Sequence, residues 1–143
     1  SARRRAERLT FELGLGQQVQ FLGFCDHVPR LLMTHQISVL STHYEGMPLA
    51  LVEAMAAGCA VVGSDVVGVR ELIEDGHNGR LVPEGDPVAL AKALHHLLSE
   101  PVAAAGLAAE GRTAALSKYS REIMTERYES LFLQLVKTSK RSS

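Results

Sequence analysis

In the stretch "THYEGMPLALVEAMAAGCAVVGSD" (Thr42 to Asp65), two carboxylates, Glu45 and Glu53, flank the start of an apolar run. The run predicts a helix from about Pro48 to Ala57, closed by Gly58. The first turn of a helix leaves backbone amides without partners and carries roughly half a positive charge, so phosphate is its natural guest. Pro48 has no amide to give, which leaves Gly46, Met47 and Leu49 as the candidate donors. A carboxylate only accepts hydrogen bonds and has two oxygens, which suits it to paired hydroxyls. Glu45 precedes the helix, and Glu53 lies one turn beyond Leu49 on the same face. A ligand with hydroxyls on both sides of a diphosphate satisfies both acids, and a nucleotide-sugar has that layout. The plainer alternative is a pair of solvated acids, since Glu near a helix start is favourable by itself. No Lys or Arg stands between Arg30 and Arg70, so that segment brings no cation to a diphosphate.

Other chemistry-bearing residues point to ordinary roles. His43 reads as a loop residue beside the motif rather than a base. His95 and His96 sit on adjacent helix faces and cannot chelate together. Arg3, Arg4 and Arg5 form a solvated helix face. Cys25 and Cys59 lack any CxxC spacing and read as reduced, buried thiols. No D-x-D run or His/Cys cluster suggests a metal, and no cofactor is expected. The formal net charge of −1 lacks the basic surplus of a nucleic-acid binder. No apolar run approaches the ~18 residues of a membrane span, and no signal-peptide core is visible, so a cytoplasmic location is expected.

The elements that must position the motif alternate. Residues 2–14 read as a helix stopped by Gly14 and Gly16, and "VQFLG" (Val19 to Gly23) as a strand. "DHVPRLLMTHQ" offers a short helix with Asp26 as its cap. "ISVLST" (Ile37 to Thr42), "AVVGSD" (Ala60 to Asp65) and "GRLVP" (Gly79 to Pro83) read as strands, the last two separated by a short helix in "GVRELIED". Asp86-Pro87 pairs a capping side chain with proline at the first helical position, and Leu90, Ala93, Leu94, Leu97 and Leu98 follow the spacing of one buried helical face. Pro101 opens an Ala-rich helix that Gly106 and Gly111 interrupt. A last helix over 120–137 carries Met124, Tyr128, Leu131 and Leu135 as a core stripe, and "KTSKRSS" reads as a frayed tail. Strands alternating with helices predict an α/β domain over 1–143: a Rossmann-like parallel sheet with helices on both faces.

"EGMPLALVE" matches the E-x7-E motif, and the chain resembles the retaining GT-B glycosyltransferases of group 1 (family 4). "VQFLGFCDHVPRLL", the long block from "ISVLST" to "ALAKAL", and the ending "KYSREIMTERYESLF" are similar to successive parts of that group's C-terminal, donor-binding domain. The resemblance covers nearly the whole chain. It implies that Glu45 contacts the transferred sugar near the reacting carbon and that Glu53 holds the ribose. The amides from Gly46 to Leu49 would cradle the diphosphate, and Phe24 and Cys25 would lie against the base. Met47-Pro48 stands where Phe-Gly is frequent, and Val67-Gly68 where Gly-Gly is frequent. The implied reaction moves a sugar from a nucleotide-sugar to an acceptor hydroxyl with retained configuration and without a metal.

The resemblance also implies absences. In the group an Arg and a Lys for the diphosphate come from a segment after the domain's first strand, and this chain begins beyond it. The first two strands and the N-terminal acceptor domain would then be missing, and the chain alone inactive. In the sheet order 3-2-1-4-5-6, "VQFLG" would lose both strands between it and "ISVLST" and become an edge that invites self-association. Membrane contact, peripheral and at the inner face, would come through the missing half. The alternative reading is a non-catalytic nucleotide-binding or assembly module of the same ancestry.

Overall fold

The structure is a computed structural model that describes residues 2–139. In chain order its elements are α1 (Ala2–Glu12), α2 (Val28–Leu32), β1 (Ile37–Leu40), α3 (Leu49–Ala57), β2 (Ala60–Ser64), α4 (Val67–Arg70), β3 (Arg80–Val82), α5 (Pro87–Ser99), α6 (Pro101–Tyr119) and α7 (Arg121–Ser139). The three strands form one parallel sheet in the order β1-β2-β3. Its register runs from Ile37 opposite Ala60 to Leu40 opposite Gly63, and from Val62 opposite Arg80 to Ser64 opposite Val82.

The middle strand explains the layering. All five residues of β2 are buried, as expected of a parallel strand covered on both faces. Successive side chains alternate between those faces. Val61 packs with Leu51, Ala54 and Met55 of α3 and with Val69, Leu72 and Ile73. Ala60 and Val62 pack with Val82 and with Leu97 of α5, against which Leu90, Ala93 and Leu94 also lie. Burying each such large aliphatic side chain is worth about 1.5–3 kcal/mol. Helix α3 ends where Gly58 takes φ 90°, and the Cys59 amide donates back to Ala54 O (3.0 Å). Asp86 caps α5, accepting from the Val88 and Ala89 amides at 2.9 Å each.

Several expectations are corrected. "VQFLG" forms no strand; Val19, Phe21 and Leu22 run as irregular chain, 36–48% exposed. A strand needs a hydrogen-bonding neighbour, and none of β1, β2 or β3 pairs with this segment. Asp26 does not cap α2: His27 occupies that position, with no side-chain hydrogen bond. Gly106 and Gly111 do not interrupt α6, which runs unbroken through both. The α7 stripe is not core: Met124, Tyr128, Leu131 and Leu135 are 41–57% exposed. Lys137–Ser139 continue that helix rather than fraying, and the rest of the expected tail, 140–143, lies outside the described residues. Of the two thiols, Cys59 is buried while Cys25 is only half-buried.

Candidate functional site

The loop between β1 and α3 carries the motif. Thr42 holds its first turn: the hydroxyl donates to Tyr44 O (3.0 Å) and accepts from the Tyr44 amide (3.3 Å). Buried Pro48 sits at the N-cap position of α3, where its carbonyl accepts from the Leu51 and Val52 amides. The Leu49 amide donates to Met47 O at 3.0 Å, so this expected phosphate donor is already engaged. Among the described residues the amides of Gly46, Met47 and Ala50 have no acceptor. Ala50 is the donor that the sequence reading missed, hidden because the Met47–Leu49 bond cannot be read from residue types.

Glu45 is half-buried in this loop and Glu53 is exposed on α3. Neither forms an ion pair among the described residues. Underneath lies Gly68, whose contact with the loop is closer than any side chain allows: a Cβ there would overlap the carbonyl oxygens of Glu45 and Gly46. The start of α4 therefore fixes the height of the motif loop. Phe24, expected at a base, is 94% exposed, and beside it stands half-buried Cys25.

Two further contacts brace the carboxyl ends of the strands. His43 Nδ1 lies 2.7 Å from Glu84 Oε1, tying the motif loop to the β3–α5 loop. Arg70 donates to the Asp65 carboxylate and, at 3.1 Å, to Asp65 O. That hydrogen bond and the carboxylate's charge hold the guanidinium above its ordinary pKa. Burial likewise pushes the Cys59 thiol up. Two cations from far along the chain share a groove with Met47 of this loop. Lys118 and Arg127 line this groove of about 280 Å³ together with Tyr119 and Tyr128. Sequence proximity could not reveal them, because α6 and α7 bring them into this groove. No three His, Cys, Asp or Glu side chains converge on a metal-sized site among the described residues.

The family model for glycosyl transferases group 1 matches residues 1–100. The chain belongs to this family. An alpha-D-kanosaminyltransferase of Streptomyces kanamyceticus is 32% identical over 121 residues, covering 83% of this chain and 31% of the relative. Among solved structures, a sucrose-phosphate synthase of Thermosynechococcus elongatus superposes with TM-score 0.88 at 32% identity, over 96% of this chain and 35% of that one. The HepE protein of Anabaena, solved in complex with UDP-glucose, gives TM-score 0.83 at 28% identity, over 90% of this chain and 36% of its own. The three-stranded sheet and its helices thus match part of a GT-B glycosyltransferase fold. This group 1 chain spans about a third of the length of these relatives. No described helix is long and apolar enough to cross a membrane.

Proposed function

We propose that this chain is the donor-binding portion of a retaining glycosyltransferase. The observation that carries the reading is the loop from Glu45 to Ala50. It sets free amides of Gly46, Met47 and Ala50 at the start of α3, between two unpaired carboxylates, in a chain of the group 1 family. UDP-sugar complexes among structural relatives support a nucleotide-sugar as ligand. In this reading Glu53 accepts from the ribose hydroxyls, and the free amides meet the diphosphate. Phe24 and Cys25 border the base. Glu45, near the sugar, stabilises positive charge as the bond from the anomeric carbon to the diphosphate breaks, the acceptor oxygen bonds to that carbon and the acceptor's hydroxyl proton passes to the departing diphosphate oxygen. Stabilising the leaving diphosphate is the larger demand, and the reading meets it with amides and helix dipole rather than a metal. Acceptor contacts, and any at the cytoplasmic face of a membrane, belong to other parts of a whole enzyme.

The test is calorimetric titration of the protein with UDP, GDP, ADP and their sugar conjugates. One nucleotide should bind weakly, and Glu53→Ala should weaken it about tenfold, as loss of a charge-assisted hydrogen bond does. The 143-residue chain should show no glycosyl transfer, since only part of the diphosphate's charge is compensated. Absence of nucleotide binding at millimolar ligand overturns the reading in favour of an assembly module, and turnover by this chain overturns its inactivity.

A further inference from the structure

On the α5 side of the sheet, the carboxyl ends of the strands border a cavity of about 260 Å³ that the donor reading does not use. Ser64, the last residue of β2, is only 3% exposed and lines it. Strand alternation from Ala60 and Val62 turns the Ser64 side chain toward α5. Its hydroxyl has no hydrogen-bond partner among the described residues. It opens onto the cavity, where a ligand or water completes it.

The surroundings define the ligand's chemistry. Ser41 follows Leu40 in the register that pairs Leu40 with Gly63, so its hydroxyl lies in the same cross-strand row as Ser64. Val82, Pro83, Pro87 and Leu90 add apolar surface to the lining. The cavity does not suit an anion. No Lys or Arg lines it, and His43 at its rim is held by Glu84. Asp86 and Pro87 stand where α5 would otherwise offer amides: the Asp86 carboxylate takes those of Val88 and Ala89, and Pro87 has none. Hydroxyl groups beside aliphatic surface suit a ring with both hydroxyl and C–H surfaces. The volume lies at or below the small end of ligand sites, which fits one ring rather than a nucleotide.

We propose that this cavity is a second saccharide site, taking a single neutral hexose-sized unit, on the opposite face of the sheet from α3. It does not depend on the donor reading, and its test separates the two. The ¹⁵N-labelled protein is titrated with glucose, galactose, mannose and N-acetylglucosamine, with inorganic phosphate as the anionic control. One sugar should produce saturable, millimolar shifts at the amides of Thr42, Ser64 and Gly85. Ser64→Val, which removes the hydroxyl, should weaken binding about tenfold. Ser41→Phe, at an exposed position where folding is safe, should abolish it by filling the mouth. Glu53→Ala should leave it intact, so failure of nucleotide binding does not touch this result. Shifts that do not saturate, that centre on Gly46 and Met47, that survive both cavity variants, or that phosphate reproduces would overturn the proposal.

Discussion

At the scale of single residues, Gly68 governs the motif without belonging to it. Its backbone lies so close to the Glu45 and Gly46 carbonyls that a methyl group must push the loop away. Gly68→Ala should cost about 1–3 kcal/mol in urea unfolding, the range for overpacking, and should also weaken nucleotide binding. The neighbouring Val67 is 68% exposed, so Val67→Gly should cost under about 1 kcal/mol, chiefly through backbone entropy. Equal losses for the two variants would refute the loop-height argument. Cys59 offers a different test. Its Sγ donates to Leu32 O (3.3 Å) and His35 O (3.4 Å), and burial raises its pKa. Because the folded pKa lies above the unfolded one, folding holds the thiol proton. The corresponding stability is present below the unfolded pKa and is lost as pH rises through the folded one. Thiol labelling followed by mass spectrometry should modify half-buried Cys25 well before Cys59 at neutral pH, and denaturant should erase the difference. Equal rates in the native protein would contradict the assigned burial.

At the scale of elements, α6 holds two glycines that look alike in sequence and differ in the fold. A Cβ at Gly111 would lie 2.9 Å from Asn78 O and 3.6 Å from Met55, whereas one at Gly106 meets nothing. Gly106→Ala should therefore stabilise by about 0.5–1 kcal/mol, and Gly111→Ala should destabilise, both read as shifts of the urea midpoint at constant slope. Stabilisation by both would mean that α6 can move off Asn78. This pair also shows what the sequence could and could not reveal. Helix-breaking propensity is local and was legible, but close helix packing overrides it and is not local. The same division runs through the fold. Asp86-Pro87, Gly58 and the apolar strands carry their own signals, and β1, β2, β3, α3 and α5 stand close to where those signals put them. "VQFLG" has a strand's composition, yet strand formation depends on neighbours that composition cannot report. At the site, the spacing of Glu45 and Glu53 was visible. The Leu49 amide's engagement, the His43–Glu84 tie and the groove that Lys118 and Arg127 share with Met47 arise only from chain geometry.

At the scale of the whole molecule, exposed apolar side chains gather in two stretches, residues 9–33 and α7, and α7 carries them on a single long helix. Along α7, Leu131, Phe132, Leu133, Leu135 and Val136 are each 48–62% exposed, continuing a surface begun by Met124 and Tyr128. Adjacent exposed apolar side chains over several helical turns mark a surface that meets another protein or associates with itself. The outer edge of β1 is a second unpaired feature, as β1 ends the sheet. It spans only four residues, and short edges are weak templates for pairing. The two features therefore predict different strengths of self-association. Sedimentation velocity of the 143-residue chain should show a coefficient that rises with concentration. Leu131→Glu with Leu135→Glu should return it to a monomer, because two carboxylates in that face cannot be buried without partners. Val39→Lys, at a 41% exposed position on β1, should change it little. If Val39→Lys alone restores the monomer, the strand edge is the associating surface. If the unmodified chain is monomeric throughout, neither surface drives association, and the α7 face is stable in water as it stands.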